Sequence, residues 1–137
     1  MPDCIFCKIV AGELPCSKLM EDDTSLAFMD IGPIRPGHAL LIPKKHYETT
    51  VDMPGEEVAE LLAHLPALAK AIVEATGADG YNVFQMNGAC AGQVVPHVHF
   101  HLIPRHTDDG VAFGWPAGGY EEGDMEKLAE KIRSCMT

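Results

Sequence analysis

An α+β fold with an antiparallel sheet is predicted by three features of the 137-residue sequence. These are two strand-like runs flanking a Gly-Pro turn, one long stretch of helical periodicity, and two further strand-like runs joined by a loop of small residues. Strands in succession, interrupted by a single long helix, do not make the repeating strand-helix-strand units of a parallel sheet.

Residues 25–30 (SLAFMD) and 38–42 (HALLI) read as strands. The Gly-Pro-x-x-Pro-Gly segment between them continues neither, which predicts an antiparallel pair. From Glu56 to Thr76, the residues Val58, Leu61, Leu62, Leu65, Leu68, Ile72 and Val73 recur at helical spacing, with Glu56 and Glu57 in the first turn and Gly77 at the stop. This is a core-facing helix. Pro66 lies inside it, removing a backbone donor and crowding the preceding turn, so a kink or a break into two pieces is expected. Residues 81–86 (YNVFQM) form a third strand, and the loop 87–92 (NGACAG) leads into a fourth at about 97–103 (HVHFHLI). A final helix over about 124–135 carries Met125, Leu128, Ala129 and Ile132 on one face. Glu121, Glu122 and Asp124 stand at its start and Lys131 and Arg133 at its end, as the helix dipole favours.

The length suits one domain over residues 1–137, and 47% hydrophobic with 22% charged residues is an ordinary globular balance. Ten basic against twenty acidic residues leave a net charge of -10, which repels polyanions and argues against a nucleic-acid partner. A small phosphorylated ligand is still compatible, because backbone N–H groups hold phosphate locally without a favourable global field. The N-terminal residues have no basic region followed by an apolar core, and no run approaches the ~20 apolar residues of a membrane span. A cytoplasmic protein without a membrane partner is expected. In a reducing compartment the five cysteines stay thiols, so the pair Cys4 and Cys7 calls for another explanation. Cys-x-x-Cys spacing suits two thiolates on one ion, a redox pair, or an incidental arrangement.

The segment His97-Val98-His99-Phe100-His101 alternates with period two, so its three imidazoles share one side and Val98 and Phe100 the other. A lone strand histidine is usually structural. Three together offer a nucleophile and proton donors near neutral pH, which suits phosphoryl chemistry. Gly88, Ala89, Ala91 and Gly92 in the preceding loop let backbone N–H groups approach a phosphate, and Asn87 and Gln93 can add amide donors.

The run from Ala91 to Arg105, AGQVVPHVHFHLIPR, resembles the motif of the histidine triad (HIT) family. The likeness extends upstream through Cys4-Ile5-Phe6-Cys7-Lys8-Ile9, Leu26-Ala27-Phe28-Met29-Asp30-Ile31, Pro36-Gly37-His38 and Pro43-Lys44-Lys45-His46. The resemblance implies a HIT-like fold, with a five-stranded antiparallel sheet, one long helix and a C-terminal helix, in a homodimer. It implies a nucleotide hydrolase of the purine nucleoside phosphoramidase branch, which cleaves a nucleoside phosphoramidate or phosphoanhydride at the α-phosphorus. By the resemblance His99 carries the nucleotidyl group and His101 hydrogen-bonds the phosphate or leaving group. Asp30 holds the ribose hydroxyls, and Phe6, Ile9, Phe28 and Ile31 line the base pocket. A third histidine at position 101 favours water as acceptor, since the related transferase branch usually carries glutamine there. The resemblance also completes a zinc site: Cys4 and Cys7 with His46 and His97, four protein ligands that leave no open position and make the metal structural.

Two positions depart from the common family pattern: Met86 stands where asparagine is frequent, and Val94 where a hydroxyl residue is frequent. A missing donor of this kind can be worth ~3 kcal/mol in a transition state. Diadenosine polyphosphate hydrolysis, and a nucleotide-binding scaffold with little catalysis, are the alternative expectations. Cys90, in the phosphate loop, is a candidate for oxidation. The segment around Trp115 reads as a surface loop.

Overall fold

Residues 3–136 are described by the computed structural model. Strands β1 Lys18–Glu21, β2 Ser25–Met29, β3 Ala39–Pro43, β4 Gly80–Gln85 and β5 Phe100–Arg105 form one sheet in the order β1-β2-β3-β5-β4. Every neighbouring pair is antiparallel, as the succession of strands predicts. The Gly-Pro turn joins β2 to β3 in register Ser25↔Pro43 through Met29↔Ala39. Helices α1 Ile5–Val10, α2 Gly55–Leu62, α3 Leu65–Thr76 and α4 Asp124–Cys135 complete the fold. No helix among the described residues is long and apolar enough to cross a membrane.

Alternation along the strands divides the core into two layers. Ala27, Ala39, Leu41, Val98 and Leu102 face Leu61, Leu68, Ala69 and Ile72 of α2 and α3. On the other side Leu26, Phe28, Leu40 and Ile42 meet Cys4 and Phe6 of the α1 segment. Both sheet faces are therefore covered near its centre, and in the second layer the Phe6 ring meets His97 and His99 edge-on.

The long helical stretch breaks in two, the second of the outcomes expected from Pro66: α2 ends at Leu62 and α3 begins at Leu65, with Pro66 in the first turn of α3, where its missing N–H removes no helical bond. The histidine strand begins at Phe100, not at His97. Residues 97–99 stay outside the ladder because Val98 N–H donates to Tyr47 O across 2.8 Å and His97 N–H to Val95 O across 2.8 Å. The short elements α1 and β1 were not anticipated. α4 forms where expected, but none of its residues is buried, and Met125, Leu128 and Ile132 are exposed.

Candidate active site

His97, His99 and His101 lie where β3, β5 and the α1 segment converge, and each ring has its own hydrogen-bond address. The Nε2–H of His97 donates to Pro43 O at 2.8 Å, which leaves Nδ1 as the free lone pair. That Nδ1 lies 3.4 Å from Cys4 Sγ, 3.6 Å from Cys7 Sγ and 3.2 Å from His46 Nδ1, and Cys7 Sγ lies 3.3 Å from His46 Nδ1. A tetrahedral zinc with bonds of ~2.3 Å to sulfur and ~2.05 Å to nitrogen has S···N edges of about 3.6 Å and N···N edges of about 3.3 Å. The four side chains predicted as ligands are thus spaced as the edges of that tetrahedron. Cys4 caps α1 and Cys7 lies one turn later, so the six-residue helix is what presents both thiols to one point. The carbonyl of Pro43 supplies the outer partner that metal-binding histidines commonly have.

His99 is oriented the opposite way. Its Nδ1–H donates to the backbone carbonyl of His97 at 2.7 Å, so the lone pair sits on Nε2. His99 keeps only 6% of its surface exposed. No hydrogen-bond partner for the Nε2 of His99 is found among the described residues, so its lone pair is uncommitted. Burial lowers the His99 pKa from its ordinary value, which keeps the ring neutral and nucleophilic at pH 7.

A relay of partners sets the tautomer of His101. Ile34 N–H donates to His38 Nδ1 at 3.0 Å, so neutral His38 carries its proton on Nε2. From there His38 donates to His101 Nδ1 at 2.9 Å, which places the His101 proton on Nε2. Burial, with His99 and His38 nearby, pushes the His101 pKa down to about 4. The site therefore pairs a bare nitrogen on His99 with an N–H on His101, the rings 4.9 Å apart. His38 is a site residue that sequence reasoning missed, since it reads there as the first residue of a strand, whereas the strand begins at Ala39 and His38 turns its ring to His101.

Asp30 does two things. Its Oδ1 accepts Gly32 N–H at 2.8 Å, capping the turn, and its Oδ2 lies 3.4 Å from His38 Nε2. Phe6 and Phe28 are buried and meet edge-on at 5.7 Å, Ile9 is partly buried beside them, and Ile31 is fully exposed on the turn. The amides of Asn87 and Gln93, expected as free donors, are committed within the protein. Gln93 Oε1 accepts Gly88 N–H at 2.7 Å while its Nε2 donates to Glu48 O at 2.7 Å. Asn87 Oδ1 accepts Thr50 N–H at 2.8 Å, and its amide pairs with Gln85. Both residues therefore brace the loop. The N–H groups of Ala89, Cys90 and Val94 have no hydrogen-bond partner among the described residues.

Residues 11–108 match the model of the HIT domain. An adenosine 5'-monophosphoramidase of Schizosaccharomyces pombe is 45% identical over 132 residues, covering 96% of this chain and 96% of the relative. An adenylylsulfatase of Arabidopsis thaliana is 43% identical over 136 residues, covering 98% of this chain and 68% of the relative. A crystal structure of a Streptococcus mutans protein superposes with a TM-score of 0.95 at 41% identity, covering 100% of this chain and 87% of that one. A HIT family structure from Bacillus subtilis superposes at 0.91, with 37% identity and 96% of each chain covered. On its triad, its fold and these relatives, the chain belongs to the histidine triad (HIT) family.

Proposed function

We propose that the protein hydrolyses a purine nucleoside phosphoramidate through a nucleotidyl-His99 intermediate. One observation carries the reading: the free Nε2 of His99 beside the Nε2–H of His101. His99 Nε2 attacks the α-phosphorus while His101 Nε2–H hydrogen-bonds the phosphoryl oxygen or the leaving group. The bond to the leaving group breaks, and water then displaces the nucleotidyl group to release a nucleoside monophosphate. Two displacements replace one difficult attack by water. The unpartnered N–H groups of the 88–94 loop are suited to the phosphoryl oxygens, with Asn87 and Gln93 holding that loop in shape. Asp30 Oδ2 takes the ribose hydroxyls, and Phe6, Ile9, Phe28 and Ile31 line the base pocket.

Cys4, Cys7, His46 and His97 hold a structural zinc in this reading; the metal supplies a crosslink between the N-terminal segment and the strand-end loops, with no part in bond making. The spacing of the four donor atoms supports it. A homodimer is supported by the free edge of β4, where Tyr81 and Val83 are exposed. This reading keeps the five cysteines as thiols, which suits a reducing compartment such as the cytoplasm.

The Arabidopsis relative favours a second substrate reading, adenylyl sulfate, in which sulfate leaves from the same phosphorus. The test is steady-state turnover of an adenosine phosphoramidate, adenylyl sulfate and a diadenosine polyphosphate by the wild type and His99→Ala. Preference for the phosphoramidate, abolished by the substitution, supports the proposal. Nucleotide binding without turnover of any of the three overturns it in favour of a binding protein.

A further inference from the structure

Besides the neighbouring His101 ring, the His99 ring has two contacts that lead to the Cys4–Cys7–His46–His97 cluster, one through His97 itself and one through the residue between the two cysteines. Its Nδ1–H donates to a carbonyl that belongs to His97. Its face-to-edge neighbour is Phe6, at 5.1 Å between centroids and 79° between planes. Phe6 stands between Cys4 and Cys7 on α1, and the same ring meets His97 at 5.8 Å and 80°. A helix of six residues is too short to persist alone in water, so α1 depends on what its side chains grip. Those grips are the two thiols at the cluster, Phe6 in the layer of Leu26, Phe28 and Leu40, and the partly buried Ile9 and Val10 against the same layer.

We propose that Phe6 is a positioning residue that couples occupancy of the cysteine-histidine centre to the setting of the His99 ring. The proposal rests on the reading of that cluster as a zinc centre. With the metal bound, Cys4 and Cys7 fix α1, α1 fixes the Phe6 ring, and Phe6 closes one side of His99 while the His97 carbonyl fixes its rotation. Without the metal, α1 loses its crosslink and both restraints loosen. The loss falls on the attack at phosphorus, because Nε2 must meet its target in line. A displacement of ~1 Å in such a geometry costs up to ~100-fold in rate.

The test is a cycle of metal removal and Phe6→Leu, which retains all four ligands. Zinc content is measured by metal analysis, nucleotidyl adduct formation by single-turnover kinetics, nucleoside monophosphate affinity by calorimetry, and ring contacts by proton Overhauser effects between Phe6 and His99. In the wild type, zinc removal is expected to slow adduct formation at least ~10-fold, weaken the ring contacts and lower monophosphate affinity by less than it lowers the adduct rate. Zinc-loaded Phe6→Leu is expected to be slowed comparably at unchanged zinc content, and removing its zinc to add less than about twofold, since coupled restraints are not additive. Equal fold-losses on zinc removal in wild type and Phe6→Leu, or unchanged ring contacts in the depleted wild type, overturn the coupling while leaving the zinc centre standing. Failure of the chain to take up zinc at all overturns the metal reading, and the coupling with it. Should depletion unfold the chain, the loaded variant decides: a wild-type adduct rate in zinc-loaded Phe6→Leu overturns the proposal, and a slowed rate supports it.

Discussion

His38 Nε2 sits 2.9 Å from His101 Nδ1, and Ile34 N–H, 3.0 Å away on the far side of the His38 ring, determines which of the two nitrogens carries the proton. In the proposed reaction the backbone of a turn thereby sets the donor offered to the phosphate two rings away. His38→Ala removes that constraint and lets His101 place its proton on Nδ1, away from the phosphate. The expected result is a fall in kcat of about 10- to 100-fold with nucleoside monophosphate affinity unchanged, measured by steady-state kinetics and calorimetry. An unchanged kcat would show that the tautomer of His101 is irrelevant to the chemistry.

The depressed pKa of His101 has a consequence for stability. In the unfolded chain its imidazole titrates near 6.5, whereas in the fold burial and the neighbouring His99 and His38 push it down to about 4. Between these values the unfolded state binds a proton that the folded state refuses, so the stability contribution is complete above pH 6.5 and declines as pH falls toward 4. Denaturant unfolding at pH 7 and pH 5 is expected to show this loss, and His101→Gln to make the decline shallower. A steeper decline in the variant would contradict the assignment.

Gly37 has φ of +101°, and a Cβ there would approach Thr76 Cγ2 to 2.7 Å and Pro104 Cγ to 3.0 Å. Backbone strain and steric conflict act together, one residue from His38. Gly37→Ala is expected to destabilise the fold by about 2 kcal/mol or more in urea unfolding. A change under about 0.5 kcal/mol would mean that α3 and β5 shift freely.

Cys4→Ser removes one of four donors and the residue that caps α1. Zinc affinity is expected to fall by at least ~100-fold, with a lower melting temperature in zinc but little change between wild type and variant in chelator. Equal melting temperatures in zinc would contradict a structural metal.

Much of this architecture is legible in the sequence because local pattern and tertiary environment agree. The runs at 25–30 and 38–42 are apolar enough to be buried on both faces, and both are. Pro66 announces the break between α2 and α3 through backbone chemistry alone. α1 and β1 are hidden because neither is long enough to show a period: Ile5–Val10 is six residues held by thiols, Phe6, Ile9 and Val10, and Lys18–Glu21 is a short, largely exposed edge. The triad residues are read correctly, but the strand they announce starts three residues late because the backbone before Phe100 bonds to the loops instead of to β3. Which of two nitrogens each histidine presents depends on carbonyls and N–H groups distant in sequence, and no spacing rule reports it.

The central claim is that His99 Nε2 becomes covalently attached to phosphorus. Rapid acid-free quenching during turnover of an adenosine phosphoramidate, followed by intact-mass and peptide mass spectrometry, tests it directly. The account predicts one adenylyl group per chain, mapped to His99 and absent from His99→Ala, appearing before the monophosphate accumulates. Turnover without any adduct, or an adduct that persists at wild-type rate in His99→Ala, would contradict it.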